Sequence, residues 1–344
     1  MISQVPPPLT SVLSSLNRRL GWVLVGLSLL LHVFTVYCFS RQPDRFAAFT
    51  VVPIWIWGGG GLLLAGAAFY FLRAPLSLIM TAVWSITLFV GADEARVLGN
   101  LGKPTPLPGL AAKHQGSPVI RVVTLNCAFF KKGNPAPDIE NWQPDIVLLQ
   151  DIDPQQVRHI ADVLFSGRGD YRFHLSNGIV TRWKINREIR NPSQRDEQVS
   201  IVHPSGASIE VVNVHLRTAA TDLRLWEKEA WVKHRDNRVV RQQELATTLR
   251  ILAQTTPRFP NTPTLFGGDF NAPATDIIHR QLAPDFENAF SSAGKGWGNT
   301  FQRRFPILRI DHIYATRHFT AVRSCAVTTR NSDHRMVVAD LLLR

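Results

Sequence analysis

Leu265-Phe266-Gly267-Gly268-Asp269-Phe270-Asn271 combines an apolar start, two glycines, and a carboxylate and a carboxamide separated by one residue. Two glycines permit close backbone approach and tight turning. The segment therefore reads as a buried strand that delivers Asp269 and Asn271 at its end. Much later, Ser332-Asp333-His334 sets another carboxylate beside an imidazole, just ahead of a further strand-like run. Such a set of polar groups suits metal-assisted phosphate chemistry.

The same arrangement recurs along the preceding sequence. Asn126 follows Val122-Val123-Thr124-Leu125, Asp151 follows Ile146-Val147-Leu148-Leu149-Gln150, and His215 follows Val211-Val212-Asn213-Val214, while Asp311 stands within Arg309-Ile310-Asp311-His312-Ile313. Short apolar runs separated by polar joints predict strands at Val119 to Leu125, Ile146 to Leu149, Gly178 to Thr181, Val199 to Val202, Ser208 to Val214, Thr264 to Phe266, Ile310 to Ala315 and Val337 to Leu342. Pro204-Ser205-Gly206 marks a hairpin. Helices are expected over Pro154 to Leu164 and over about Glu227 to Ala253, where Leu245, Leu249 and Leu252 share a face. Many short strands with few helices imply an α+β sandwich of two packed sheets with helices outside.

Taken alone, an Asn or Asp at a strand end is a turn former, and a lone His is a half-buried hydrogen-bonding group. Their repetition at strand ends is the stronger signal. Carboxylates, carboxamides and histidines gathered in one cleft suit a hard divalent cation, since magnesium prefers oxygen ligands. They also suit phosphoryl transfer, where positioning and charge neutralisation do most of the work.

Thr124-Leu125-Asn126, Asp145 to Asp151, Asn213-Val214-His215-Leu216, Gly268-Asp269-Phe270-Asn271, Arg309 to Ile313 and Ser332-Asp333-His334 stand in an order that resembles the endonuclease/exonuclease/phosphatase superfamily with the deoxyribonuclease-I-like fold. The resemblance covers about Val119 to Arg344. Weaker agreement comes from Asn177 to Arg182, Arg241-Gln242 and Thr300-Phe301. It implies a four-layered α/β sandwich and metal-dependent hydrolysis of a phosphoester, with magnesium, or manganese as a substitute. By it, Asn126 and Asp151 would hold the cation, His215 would contact the phosphate, Asp269 would orient or activate water, and Asn271 would steady the transition state. Asp311 would orient His334, which stabilises the pentacoordinate phosphorus, and Asp333 would complete the metal site or its surroundings. One position departs from the pattern: the family carries Glu where this chain has Asp151, a carboxylate shorter by one methylene. A backbone shift, a bridging water or participation of Asp153 would compensate; otherwise metal binding is weak and activity low, or the domain is an inactive binding module.

Ahead of this domain the chain changes character. It has 344 residues, 45% of them hydrophobic. Leu20 to Phe39, Ala47 to Leu72 and Pro75 to Ala92 lack Asp, Glu, Lys and Arg, and each is near the roughly 20 residues that span a bilayer. Three transmembrane helices (20–39, 47–72, 75–92) are expected within an anchor at 1–98, followed by a Pro- and Gly-rich linker at 99–118 and the catalytic domain at 119–344. Trp22, Tyr37, Trp55, Trp57, Tyr70 and Trp84 lie toward the span ends, as interfacial rings do. Gly58 to Gly61 and Gly66 would allow close helix approach. No Asp, Glu, Lys or Arg falls at membrane depth, which argues against transport and for an anchor.

Arg18-Arg19 before the first span favours a cytoplasmic N-terminus, so three crossings would place the catalytic domain outside the cytoplasm. The anchored arrangement is similar to a bacterial membrane-bound branch of the superfamily, implying the inner (cell) membrane. The formal charge is +12, and residues after 116 carry 30 Lys+Arg against 23 Asp+Glu. A positive domain fits polyanionic partners, nucleic acid or anionic lipid headgroups. A phosphodiesterase or nuclease is the leading expectation, with a phospholipid headgroup phosphoesterase as the alternative. Cys38, Cys127 and Cys325 show no zinc spacing, and a Cys127 to Cys325 disulfide would be permitted outside the cytoplasm.

Overall fold

The computed structural model describes residues 9–109, 113–114, 117–190, 196–218 and 224–344. The chain divides into two compact units, one ending at Ala95 and the other beginning at Arg96. Part of the expected 99–118 linker (110–112 and 115–116) lies outside the described residues. Within that stretch, Lys113–His114 pairs antiparallel with Ser117–Pro118.

The N-terminal unit holds helices α1 (Leu9–Arg41), α2 (Ile54–Leu72) and α3 (Pro75–Gly91). Two segments are long and apolar enough to cross a membrane, Ser15–Arg41 and Ile54–Leu72; a third counts if Pro75–Gly91 is joined to Asp93–Asn100 across a 71° bend. The expected 47–72 span is divided, because Ala47–Val51 forms its own short helix and Val52 and Pro53 adopt extended backbone before α2. Small residues let the helices meet. A Cβ on Gly61 would lie 2.0 Å from Trp84 and one on Gly58 2.4 Å from a Leu88 methyl carbon, whereas Gly66 faces open space. Ser28 ties the three together, donating to the Gly61 carbonyl at 3.0 Å and accepting from Trp84 Nε1 at 3.1 Å.

The second unit is built on twelve principal strands: β1 (Ile120–Asn126), β2 (Ile146–Gln150), β3 (Asp170–His174), β4 (Asn177–Thr181), β5 (Ile185–Arg190), β6 (Glu197–Val202), β7 (Ser208–His215), β8 (Thr264–Asp269), β9 (Phe286–Asn288), β10 (Asp311–Thr316), β11 (Phe319–Thr328) and β12 (Arg335–Leu343). They form two six-stranded sheets, ordered β11-β12-β1-β2-β4-β3 and β9-β10-β8-β7-β6-β5. The pairs β1·β2 and β8·β7 are parallel; the other ladders are antiparallel. Helices α4 (Pro154–Phe165) and α5 (Lys228–Thr255) follow β2 and β7.

Side-chain alternation along each strand divides the core into layers. Val122, Leu148, Val211, Leu265 and Ile313 meet between the sheets. Val123, Leu125 and Leu149 turn outward onto Val157 and Ile160 of α4, and Val212, Val214 and Phe266 onto Leu245 and Leu252 of α5. The result is the expected four-layered sandwich, helix over sheet over sheet over helix.

The four strands without a sequence expectation, β3, β5, β9 and β11, are the sheet edges. Edge strands bury little and carry charge to deter further pairing. Asp170-Tyr171-Arg172-Phe173-His174 and Ile185-Asn186-Arg187-Glu188-Ile189-Arg190 accordingly lack the apolar run that marks a central strand. The Pro204-Ser205-Gly206 hairpin joins β6 to β7, with Gly206 at φ 85°. Cys38, Cys127 and Cys325 are all free thiols.

Candidate active site

Residues of β1, β2, β7, β8 and β10 that face the inter-sheet core continue the same parity to the strand ends, where polar side chains replace apolar ones. Asn126 pairs in register with Gln150, and Gln150 with Asn177, giving one polar row across the first sheet. His215 pairs with Asp269, and Asp269 with Asp311, giving a row across the second. The two rows face each other at the same end of the sandwich.

Gly267 and Gly268 make this possible. A Cβ on Gly267 would lie 2.7 Å from Leu148 of the opposite sheet and 2.9 Å from the His312 carbonyl, and Gly268 has φ +132° with a Cβ position 2.0 Å from the Val214 carbonyl oxygen. Neither position admits a side chain without backbone movement.

Asp269 is the meeting point. Asn126 Nδ2 donates to its Oδ2 at 3.0 Å and to Asp151 Oδ2 at 3.2 Å. His215 Nε2 stands 3.8 Å and His334 Nε2 4.0 Å from Asp269 Oδ2. Asp269 Oδ1 accepts the backbone N–H of Asn271 at 2.8 Å, and Asn271 Nδ2 donates to the Leu216 carbonyl at 3.0 Å. Asp311 Oδ2 bonds His334 Nδ1 at 2.9 Å, leaving Nε2 as the free ring nitrogen. Ser332 donates to the Asn126 carbonyl at 2.6 Å and accepts the His334 N–H at 3.0 Å, which fixes the third segment against the first.

The electrostatics follow from burial. Asp269 is 1% exposed, and loss of solvent, with the Asp311 charge beside it, raises its carboxyl above the usual range against the opposing pull of His334, His215 and Asn126. Burial would disfavour a charged His334, but the Asp311 carboxylate and its hydrogen bond, helped by Asp269 and Asp333, hold the imidazole up at about 9. The surrounding carboxylates thus favour the charged form of His334.

All eight expected site residues gather at this end, with different degrees of engagement. Asp151 reaches the cluster despite its shorter side chain: its backbone is left-handed (φ 46°), and its Oδ1 lies 3.4 Å from His215 Nδ1. Asp153 is occupied elsewhere, capping α4 by accepting Gln156 N–H at 2.9 Å. Asp333 is half-buried; its carbonyl accepts the Arg303 N–H at 2.6 Å and its charge acts on His334.

Supporting residues had no assigned role in the sequence reading. Gln150 Nε2 donates to Asn213 Oδ1 at 2.6 Å, while Asn213 Nδ2 donates to the carbonyls of Leu149 and Gly178, a buried link between the sheets beneath the site. Thr300 Oγ1 takes the N–H groups of Ile310 and Asp311 at 3.2 and 3.3 Å. Arg241, 4% exposed, donates to the Arg217 carbonyl at 3.4 Å on the loop after His215. Gln150, Asn213, Thr300 and Arg241 all lay within the segments quoted for the resemblance, which was the available signal.

Asp269, Asp311 and His334 offer ligand atoms within 4.8 Å of one another. Two carboxylates, Asp151 and Asp269, share the one Asn126 carboxamide, and Asp311 Oδ1 is buried without a hydrogen-bond partner. An Asp311 oxygen without a donor, beside two carboxylates that share one amide, fits a hard divalent cation.

A sequence profile described as the Endonuclease/Exonuclease/phosphatase family matches residues 123–334. Among solved structures, an endonuclease/exonuclease/phosphatase from Bacteroides vulgatus is similar at TM-score 0.52 and 16% identity, covering 66% of this chain and 99% of that one. A mannosyl-6-phosphatase from Bacteroides thetaiotaomicron is similar at TM-score 0.53 and 16% identity, covering 65% of this chain and 100% of its own. A protein from Enterococcus faecalis described as functionally unknown aligns at TM-score 0.51 and 17% identity, over 65% of this chain and 100% of that one. These identities speak for the fold alone. Among curated proteins none matches the chain.

Proposed function

Because the chain belongs to the endonuclease/exonuclease/phosphatase family, we propose that it is a membrane-anchored, divalent-metal-dependent hydrolase of phosphoesters, with phosphodiesters of nucleic acids or of lipid headgroups as the substrate class. The observation that carries this reading is the convergence of Asn126, His215 and His334 on one buried carboxylate, Asp269.

Asn126 and Asp151 would hold the cation, with Asp333 completing its surroundings. Magnesium or manganese bound there would draw electron density from phosphorus and neutralise charge on the phosphate. Asp269 orients the attacking water and takes its proton; a carboxylate whose proton affinity is raised by burial suits that task. As the bond from water oxygen to phosphorus forms, the ester bond in line with it breaks, and the leaving oxygen departs with the bonding pair and takes a proton from solvent. His334 donates from Nε2 to a phosphate oxygen while Asp311 holds its other nitrogen. His215 supplies a second contact to the phosphate, and Asn271, whose amide has one N–H beyond that given to Leu216, steadies the transition state.

In this reading residues 1–98 anchor the enzyme in the bacterial cell membrane, 99–118 link, and 119–344 work outside the cytoplasm. Support for the anchor comes from the two or three helices apolar enough to cross. The test is hydrolysis of bis(p-nitrophenyl) phosphate by the full chain in detergent, with and without magnesium. Turnover that requires the metal and collapses in Asp269→Ala and His334→Ala is expected; unchanged turnover in either variant would sink the site assignment. Reporters active on one side of the membrane, fused to the C-terminus, check the orientation.

A further inference from the structure

Five of the seven large hydrophobics that stand exposed beyond Val119, among the described residues, are Phe129, Leu175, Trp226, Trp297 and Phe305. Phe129, Leu175, Trp297 and Phe305 lie on loops attached to the strand ends that carry the site, and Trp226 lies just ahead of α5. Phe129 follows Asn126 by three residues, and its backbone N–H bonds the Asp151 carbonyl at 2.6 Å. Leu175 is the tip of the β3–β4 hairpin, and the next residue, Ser176, accepts the Ile152 N–H, so the tip flanks Asp151 from the other side. The loop of Trp297 and Phe305 is tied to the third site segment through Arg303 N–H to Asp333 O and Arg335 N–H to Thr300 O.

Two of these side chains, Phe129 and Leu175, stand on left-handed backbone. Ala128, Phe129, Phe130 and Leu175 have φ of 47°, 51°, 56° and 55°, left-handed values that cost a bulky residue strain and persist where the surroundings enforce them. Phe305 is 78% exposed. Basic groups stand among them: Lys131, whose Nζ lies 5.8 Å from the Phe129 ring centre, Lys132 and Arg304, all exposed.

We propose that this rim docks on an anionic lipid bilayer and that the site takes its phosphoester from a lipid headgroup at that surface. Exposed aromatic and aliphatic tips with neighbouring cations are the chemistry of an interfacial anchor, the rings entering the headgroup boundary and the ammonium and guanidinium groups meeting lipid phosphates. Lys131, Lys132 and Arg304 are complementary to that surface. A single nucleic acid strand fits less well: sequential bases stack on aromatics that line a groove, whereas these tips include an aliphatic Leu175 and a Phe305 about four-fifths exposed. The same chain also carries helices apolar enough to cross a bilayer, which would keep such a surface at hand. The substrate half of this inference rests on the phosphoesterase reading; the docking half does not.

The experiment separates the two halves. The full chain with Cys325→Ser and Phe305→Cys carries a polarity-sensitive dye at position 305, and is placed in nanodiscs of phosphatidylcholine alone or with one-third phosphatidylserine. Blue-shifted emission in the anionic discs, reversed when Lys131, Lys132 and Arg304 are changed to Glu, is the expected result. Equal emission in detergent and both discs overturns docking, as does a shift produced by a single-stranded oligonucleotide and not by anionic lipid. Turnover is then read on phosphatidylinositol 4-phosphate or phosphatidylglycerol in the disc and on bis(p-nitrophenyl) phosphate in solution. The charge-reversed protein should lose about tenfold or more in the ratio of lipid to soluble turnover. An unchanged ratio overturns the lipid assignment, and lack of soluble turnover in the unaltered chain overturns the phosphoesterase reading while the dye still reports on docking.

Discussion

Asp151 shows how a side chain one methylene short can still enter a constellation: the left-handed backbone at φ 46° carries its carboxylate to within 3.2 Å of Asn126 Nδ2 and 3.4 Å of His215 Nδ1. Asp153, two residues on, is committed to the α4 cap. The two acids are therefore separable. Asp151→Ala should raise the magnesium concentration for half-maximal turnover by about tenfold or more, while Asp153→Ala should leave that value alone and cost about 1 kcal/mol of stability as a lost N-cap; a magnesium titration and a urea melt check both. Away from the cluster, His279 and His312 lie buried with ring centres 4.5 Å apart. Tyr314 Oη and His279 Nδ1 are 2.8 Å apart, and His279 Nε2 meets the Pro273 carbonyl at 3.0 Å, on the segment that follows Asn271. Burial, with Arg309 acting in the same sense and Asp276 against it, pulls His279 from 6.5 to about 4. A depressed histidine contributes stability that is whole above pH 6.5, is lost as pH falls from 6.5 toward 4, and changes no further below. His279 alone should contribute up to about 3 kcal/mol of decline in stability between pH 7 and pH 4, and His279→Gln should lessen the decline seen in urea melts while the part due to His312, also lowered by burial, remains.

At the scale of elements, the strand-end rows depend on the β8 approach to both neighbours. Gly268→Ala places a Cβ 2.0 Å from the Val214 carbonyl at φ +132°, so it should cost more than about 2 kcal/mol or prevent folding; the melting temperature of the variant decides. The central strands were legible because Val122-Val123-Thr124-Leu125 or Ile146-Val147-Leu148-Leu149 are buried on both faces. β3, β5, β9 and β11 were not, since an edge strand needs neither an apolar run nor strict alternation. The candidate site's residues were legible to the same depth. Asn126, Asp151, His215, Asp269, Asn271, Asp311, Asp333 and His334 stand out as polar residues where an apolar strand stops. Thr300 and Arg241 do not, because a hydroxyl serving two backbone N–H groups or a guanidinium serving a distant carbonyl acquires its role only from tertiary placement. The Pro53 break in the 47–72 stretch shows a similar limit: uncharged composition marks the length available to a membrane, and local backbone chemistry decides how much of it is one helix.

For the whole molecule, two to three apolar helices lead a unit whose charged and mixed sequence builds a sandwich. An anchored chain should stay with the membrane fraction through alkaline carbonate extraction and leave it only with detergent; release by carbonate alone would count against the anchor. The facing rows have a further consequence for the sandwich itself. Asn126 and Asp269 are 143 residues apart in sequence, and Ser332 reaches back to the Asn126 carbonyl across 206. One sheet supplies Asn126 and Asp151, the other His215, Asp269 and Asp311, and the closing segment His334. A half-formed sandwich therefore holds no subset with all these roles, and a strand shifted by one residue would turn its polar end out of the cleft. Under the proposed function, catalysis in such a fold is a conjunction, with every long-range pairing required at once. A nascent or damaged chain would be silent rather than weakly active, and turnover per mole would serve as a census of correctly assembled molecules.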